Sequence, residues 1–133
     1  MTMVDPDRLR RLISSLERWH DILADEPSDV YRRRYAVQSA AQATIDIANH
    51  VIAANGWRVP QDYGDAFTVL AEHDVIDKDL AANLRALSGL RNLLVHLYDE
   101  IDDDRVAQEA AAGLDDLRRF AQLTAALASD ESD

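Results

Sequence analysis

Apolar residues recur along the chain at spacings of three and four residues, the period of a helix with one buried face. The first such stretch covers residues 7–24, and the positions on its buried side are Leu9, Leu12, Ile13, Leu16, His20 and Leu23. Asp5 or Asp7 can cap this helix, and Pro6 suits a first helical turn. The pattern predicts a first helix over 7–24, which ends ahead of Glu26-Pro27-Ser28.

The second stretch, about 29–54, is apolar or small on nearly every side from residue 36 onward. A helix of this kind usually lies buried between its neighbours. Ser28 or Asp29 can cap its start. Gly56 can end it, because glycine readily takes the left-handed backbone conformation that closes many helices.

Three further patterns follow. We expect a third helix at about 63–73 capped by Asp62, a fourth at about 78–98 capped by Asp77, and a fifth at about 104–128. The acidic run 99–104 favours the start of the fifth helix through capping and the helix dipole. Residues 129–133 are expected to form a frayed tail. Five helices with short connections predict an all-α antiparallel bundle, in one domain over 1–133.

Composition narrows the possible function classes. The chain has no cysteine, which excludes disulfides and thiolate metal sites. It carries 14 Lys and Arg against 25 Asp and Glu, a net charge of −11, so RNA could bind only at a local basic patch. No apolar run of about 18 residues occurs, so no membrane-spanning helix is expected. Without a recognisable secretory signal, a cytoplasmic location is expected.

The end of the predicted fourth helix holds the candidate chemistry. RNA cleavage without a metal needs a base, an acid and a cation for the charge that grows on the phosphate. His96 can be the acid or base, since imidazole titrates near neutral pH. Arg91 can hold phosphate oxygens with two donors, and Asn92 can add a hydrogen bond. These three residues are the candidate RNase site.

Helix geometry limits how Arg91 and His96 can meet. Five residues apart, they differ by about 140° around an ideal helix, whereas Tyr98 lies on the side of Arg91. We therefore expect a composite site in a two-fold dimer, with the fourth helix at the interface. A fray or kink near Val95 is the competing arrangement. Alternatively, Arg91 and His96 only cap the last helical carbonyls and interact with the helix dipole.

Other polar groups have alternative interpretations. Asp46 and His50 share a helix face and could bind a metal, but a mutual buried hydrogen bond is favoured, because no third ligand or HExxH motif occurs. The cluster Arg32 to Arg34 could bind an RNA backbone or a protein partner, or form a salt-bridged first turn. His20 and His73 are expected to be structural or exposed. No metal site and no cofactor are predicted.

The segment Arg91-Asn92-x3-His96-x-Tyr98 resembles the R-x4-H-x-Y motif of HepT-like toxins of the HEPN superfamily. Residues 31–38, 45–50 and 60–67 also resemble family segments in the same order. The resemblance covers roughly residues 8–127. It implies a HEPN helical bundle, usually a homodimer with the motif near the two-fold axis.

The resemblance also implies an activity and a partner. The activity is metal-independent RNA cleavage that leaves a 2′,3′-cyclic phosphate, with Arg91 and His96 at the catalytic positions. The partner is an MntA-type nucleotidyltransferase antitoxin, which transfers AMP from ATP to the motif tyrosine, here Tyr98. A bulky anionic adenylyl group would block the cleft and repel the RNA phosphate.

Two further hypotheses belong to different classes. The chain could be a non-catalytic HEPN accessory subunit that binds a nucleotidyltransferase or a nucleotide, or a purely structural helical dimer. The acidic run 99–104 follows the candidate site directly. It would disfavour RNA there unless its carboxylates point elsewhere.

Overall fold

A computed structural model describes residues 4–96 and 98–130, for Tyr98 and Asp130 as backbone only. The described part contains α-helices and one short 3-10 turn, Tyr98–Glu100, and no strand, which confirms the all-α class. The α-helices are α1 Pro6–Ala24, α2 Val30–Asn55, α3 Tyr63–Glu72, α4 Lys78–His96 and α5 Asp103–Asp130. None of the described helices is long and apolar enough to cross a bilayer.

Aspartates cap the helix starts, as the sequence predicts. In the first four helices a carboxylate oxygen accepts a backbone N–H of the first turn, which supplies a partner that the helix itself cannot. The capping residues are Asp5, Asp29, Asp62 and Asp77. From the acidic run, Asp102 caps α5 in the same way, with Oδ1 3.1 Å from the backbone nitrogen of Asp104. At the end of α2, Gly56 has a φ of 66°, the predicted left-handed stop.

Two helix ends differ from the prediction. Helix α4 ends at His96, and the 3-10 turn begins at Tyr98, although the sequence predicts a helix to residue 98. Helix α5 continues to Asp130, so a frayed tail beginning at residue 129 is wrong for residues 129–130; residues 131–133 lie outside the described part. Burial of Ala128 explains the longer helix, because its side chain packs in the core and holds the last turn.

Helix α2 is the centre of the bundle and contacts each of the other four α-helices. From residue 36 to residue 52 its apolar positions are buried, as its all-round apolar pattern predicts, whereas Tyr31 and Tyr35 in its first turns are exposed. Many of them are alanines, whose small side chains let neighbouring helices approach closely. On the other side of the core, the rings of Phe67 and Phe120 meet edge to face with centroids 5.9 Å apart. Helix α4, which carries the candidate chemistry, packs against α2 and α3.

Candidate active site

An open groove of about 770 Å³ runs beside the C-terminal half of α4. One wall is α4 itself, and the other is the segment that leads into α3, residues 59–63. The lining residues are Asn49, Val59, Pro60, Gln61, Asp62, Tyr63, Arg91, Asn92, Val95 and His96. All three residues that the sequence proposes for the RNase site, Arg91, Asn92 and His96, therefore line one groove.

Arg91 and His96 border this groove within a single chain, which the helical-wheel argument did not anticipate. Helix α4 stays helical through Val95, so the fray at that residue, considered as the competing arrangement, does not occur. The α4 positions that line the groove are 91, 92, 95 and 96, which span about 140° of the helix surface. The groove is wide enough to reach both flanks of the helix. The composite dimeric site remains a prediction.

Arg91 is half-buried and held by side chains on three sides. Its Nε donates to Oε1 of Gln42 at 3.1 Å, and its Nη1 donates to Oδ1 of Asn92 at 3.1 Å. Its guanidinium carbon lies 5.1 Å from the centroid of the Tyr63 ring, a cation–π contact. Nη2 donates to none of the described residues. The Arg91 side chain therefore does not cap the helix end, and it keeps a donor for an anion in the groove.

Gln42 is a site residue that the sequence analysis missed. Its Nε2 donates to Oδ1 of Asp46 at 2.8 Å, while its carbonyl oxygen accepts from Arg91. Gln42 and Asp46 lie four residues apart on α2 and so share a face, and their contact could have been predicted from the sequence. The contact between Gln42 and Arg91 could not, because 49 residues separate them.

The favoured hydrogen bond between Asp46 and His50 is wrong. The Asp46 side chain is exposed and binds Gln42 instead. His50 is half-buried, and its Nε2 has no hydrogen-bond partner among the described residues. Burial lowers the pKa of His50, and the positive charge of Arg8 lowers it further. The metal alternative gains no support either, since the described residues include no cluster of three potential ligands.

His96 is the last residue of α4, and its side chain is exposed at the groove. Its imidazole makes no hydrogen bond to the described residues, so both ring nitrogens face solvent or a bound molecule. Tyr98 follows two residues later at the start of the 3-10 turn. The expectation that its side chain lies on the side of Arg91 falls outside the described residues.

The wall opposite α4 is braced by ion pairs. Arg58 donates to Asp65 from Nη1 at 2.8 Å and to Glu72 from Nε at 2.9 Å. The hydrogen bond from Arg58, together with one from the backbone N–H of Gln61, lowers the pKa of Asp65 to about 2. These bonds tie residues 58–61 to α3, and α3 begins with Tyr63. The ring under Arg91 is thereby held in place.

The histidines outside the groove are structural or exposed, as predicted. His20 lies on α1 beside Asp21, with its Nδ1 3.2 Å from a carboxylate oxygen of that residue. His73 is exposed and its ring stacks on Trp57, with centroids 3.9 Å apart. Neither residue lines the groove.

The basic cluster and the acidic run largely serve the fold. Arg33 donates to the backbone carbonyl of Pro27, and Arg34 forms an ion pair with Asp103. The salt-bridged interpretation therefore holds for Arg34, while Arg33 is held by a hydrogen bond to the backbone. Within the acidic run Asp102 is a helix cap, and residues 99–104 do not line the groove. The predicted conflict between this run and RNA is correspondingly smaller.

Residues 7–124 match the family model described as HepT-like, Ribonuclease HepT-like. The chain is 38% identical over 84 residues to the mRNA nuclease HepT of Shewanella oneidensis, an alignment that covers 63% of each chain. It is 27% identical over 117 residues to the tRNA nuclease HepT of Aphanizomenon flos-aquae, with 80% of each chain covered. The match to the Shewanella relative thus spans less than two thirds of that protein.

The fold is similar to that of a solved toxin–antitoxin complex. The neighbour is the tri-AMPylated HEPN toxin of Shewanella oneidensis in complex with its MNT antitoxin. The two structures superpose with a TM-score of 0.68 at 29% identity, over 91% of this chain and 93% of the toxin chain. The likeness extends over nearly the whole helical bundle.

Proposed function

Because the chain belongs to the HepT-like family, we propose that it is a metal-independent endoribonuclease and the toxin of a toxin–antitoxin pair. The observation that carries the proposal is that Arg91 and His96, a guanidinium and an imidazole, line one groove. The curated relatives named as mRNA and tRNA nucleases support RNA as the substrate class.

The proposed reaction is an internal transesterification of RNA. The 2′-hydroxyl oxygen attacks the neighbouring phosphorus, and the bond to the 5′-oxygen breaks, which leaves a 2′,3′-cyclic phosphate and a 5′-hydroxyl. Arg91 stabilises the negative charge that grows on the phosphoryl oxygens through Nη2, which donates to none of the described residues. His96 takes the proton of the 2′-hydroxyl or supplies one to the leaving oxygen.

A homodimer would complete this chemistry. The reaction transfers two protons, one from the nucleophile and one to the leaving group, whereas the groove of one chain is lined by one imidazole. A two-fold axis near the end of α4 would bring the His96 of a second chain toward the same phosphate. The exposed apolar side chain of Val95, which lines the groove beside His96, supports such an interface.

The proposed regulator is an MntA-type nucleotidyltransferase antitoxin. In its reaction the hydroxyl oxygen of Tyr98 attacks the α-phosphorus of ATP, pyrophosphate leaves, and the tyrosine proton passes to solvent or a base. Tyr98 lies two residues after His96 in the chain, and a bulky anionic adenylyl group near the catalytic residues would repel the RNA phosphate. The AMPylated Shewanella toxin supports this proposal. RNA and ATP are cytoplasmic, and we place the protein there.

The test uses purified, unmodified protein with single-stranded RNA in excess EDTA. We expect cleavage to continue in the chelator and the new 3′ ends to carry a cyclic phosphate. A substrate with a 2′-deoxyribose at the cut position should resist cleavage, since it lacks the nucleophile. Failure to cut mRNA or tRNA would refute the RNase proposal. Tight binding to the nucleotidyltransferase without cleavage would then favour the accessory-subunit alternative.

A further inference from the structure

Gln42 and Asp46 form a hydrogen-bonded relay on α2 that leads to Arg91. We propose that this relay positions the Arg91 guanidinium for the phosphate before RNA arrives. The inference rests on the proposed function for the role of Arg91, and it assigns two positioning residues that lie outside the R-x4-H-x-Y motif. Neither residue lines the groove, so neither is expected to contact the substrate.

The chemistry of the three groups fixes the direction of the relay. A carboxylate only accepts hydrogen bonds, so the partner of Asp46 must be the amide nitrogen of Gln42, at 2.8 Å. That bond turns the Gln42 carbonyl oxygen away from Asp46 and toward Nε of Arg91, at 3.1 Å. A guanidinium only donates, so a flipped Gln42 amide would place donor against donor at Arg91. Asp46 therefore selects the one amide orientation that Arg91 can use.

Gln42 holds the guanidinium only at Nε, and contacts with Tyr63 and Asn92 fix the orientation of its plane. The Tyr63 ring covers one face, and Asn92 accepts from Nη1. A free arginine side chain loses rotamer entropy when it is fixed. Because these partners fix the side chain in the folded protein, that cost falls on folding rather than on the transition state. Loss of the relay should therefore lower kcat more than it raises KM.

The first experiment measures the order of Arg91 without any RNA. In protein labelled with nitrogen-15, the Nε–Hε signal of Arg91 is assigned by its loss in Arg91→Lys, and its order parameter is measured. We expect a value close to that of rigid backbone in the wild type and a clearly lower value in Gln42→Leu. Gln42→Glu keeps an acceptor for Nε and should retain the order. A mobile Arg91 in the wild type, or an unchanged order parameter in Gln42→Leu, would overturn the proposal.

The second experiment measures steady-state RNA cleavage by the same variants. We expect kcat to fall about 10- to 100-fold in Gln42→Leu with a smaller change in KM, and Gln42→Glu to recover most of the loss. Asp46→Asn should give an intermediate loss, since an asparagine can also donate and so permits the flipped amide. The matched control is Gln122→Leu on α5, an exposed glutamine away from the groove, which should match the wild type.

The two experiments separate the possible failures. A wild type that cuts no RNA while Arg91 is ordered by Gln42 refutes the proposed function and leaves the positioning relay intact. If the wild type cuts RNA and Gln42→Leu cuts it at the same rate, the relay is refuted and the proposed function stays intact. An increase in KM alone in Gln42→Leu would also refute the positioning role, since it would indicate a role in binding only.

Discussion

Arg34 of α2 and Asp103 of α5 are joined by a two-pronged ion pair. Nε reaches Oδ1 and Nη2 reaches Oδ2, both at 2.7 Å, and the Arg34 side chain is only 12% exposed. The pair joins the N-terminal ends of α2 and α5 through two residues that are 69 positions apart in sequence. It also removes one charge from the basic cluster and one from the acidic run, and both clusters are thereby less available to a ligand.

This clamp predicts a pH-dependent component of stability. The hydrogen bond from Arg34 lowers the pKa of Asp103 in the folded protein. A lowered folded pKa gives stability that is present above the unfolded value of about 3.9 and is lost as the pH falls through the folded pKa. We expect Asp103→Asn to be less stable than the wild type at pH 7. The difference should shrink as the pH falls toward 3.

Urea unfolding of both proteins at a series of pH values measures this difference directly. Other carboxylates that accept hydrogen bonds, such as Asp65 and Asp77, contribute equally to both proteins and cancel. A difference that stays constant from pH 7 to pH 3 would show that the ion pair adds no pH-dependent stability.

Replacing Gly56 and Gly113 with alanine should change the stability of the protein in opposite directions. Gly56 has a φ of 66°, and although a Cβ would meet no atom within 4 Å, that backbone conformation costs an L-residue about 1–2 kcal/mol. Gly113 lies inside α5, and a Cβ there also meets nothing within 4 Å. Gly113→Ala should therefore stabilise the protein by about 0.5–1 kcal/mol, while Gly56→Ala destabilises it. Chemical unfolding of the two variants checks both signs, and the same sign for both would contradict the argument.

Much of the fold was predictable because its signals are local. An aspartate before an apolar repeat marks the helix starts, Gly56 marks the end of α2, and the near-continuous apolar pattern of α2 marks the central helix. The two errors in helix ends have different reasons. Burial of Ala128, a tertiary effect, extends α5, whereas nothing in the sequence marks the end of α4 at His96.

The site was predictable only in part. A short motif contains Arg91, Asn92 and His96, and its resemblance to the R-x4-H-x-Y motif, rather than spacing alone, favoured a catalytic role over helix capping. Helix geometry gave the correct angle between Arg91 and His96, but it could not give the width of the groove, which depends on residues 59–63. The contact of Gln42 with Arg91 joins two helices, and no local pattern encodes it. The predicted hydrogen bond between Asp46 and His50 is wrong because Asp46 accepts a hydrogen bond from Gln42 instead.

The regulatory proposal predicts that Tyr98→Phe separates toxicity from its control. The phenylalanine lacks the hydroxyl that accepts AMP, and the tyrosine has no assigned part in the cleavage step. We expect the variant to cut RNA at a rate near that of the wild type and to stay unmodified when coexpressed with an MntA-type nucleotidyltransferase. Intact-mass spectrometry checks the modification. Adenylyl additions of equal number on wild type and Tyr98→Phe would place the acceptor elsewhere.

The composite-site proposal predicts complementation between two inactive variants. In a mixed dimer of Arg91→Ala and His96→Ala, the shared cleft would keep the intact Arg91 of one chain and the intact His96 of the other. We expect such dimers, copurified through different tags, to recover part of the wild-type activity. Each homodimer should stay inactive. A mixed dimer as inactive as both homodimers would show that Arg91 and His96 of the same chain act together.

The central claim is that Arg91 and His96 act on one phosphodiester in the groove beside α4. Its most direct test is the single-turnover rate of cleavage of one RNA by wild type, Arg91→Ala and His96→Ala, with His73→Gln as the control for loss of a histidine outside the groove. The account predicts that each of the first two variants loses at least about 100-fold while its helical content is unchanged, and that His73→Gln cleaves normally. Cleavage at the wild-type rate by folded Arg91→Ala or His96→Ala would contradict the claim.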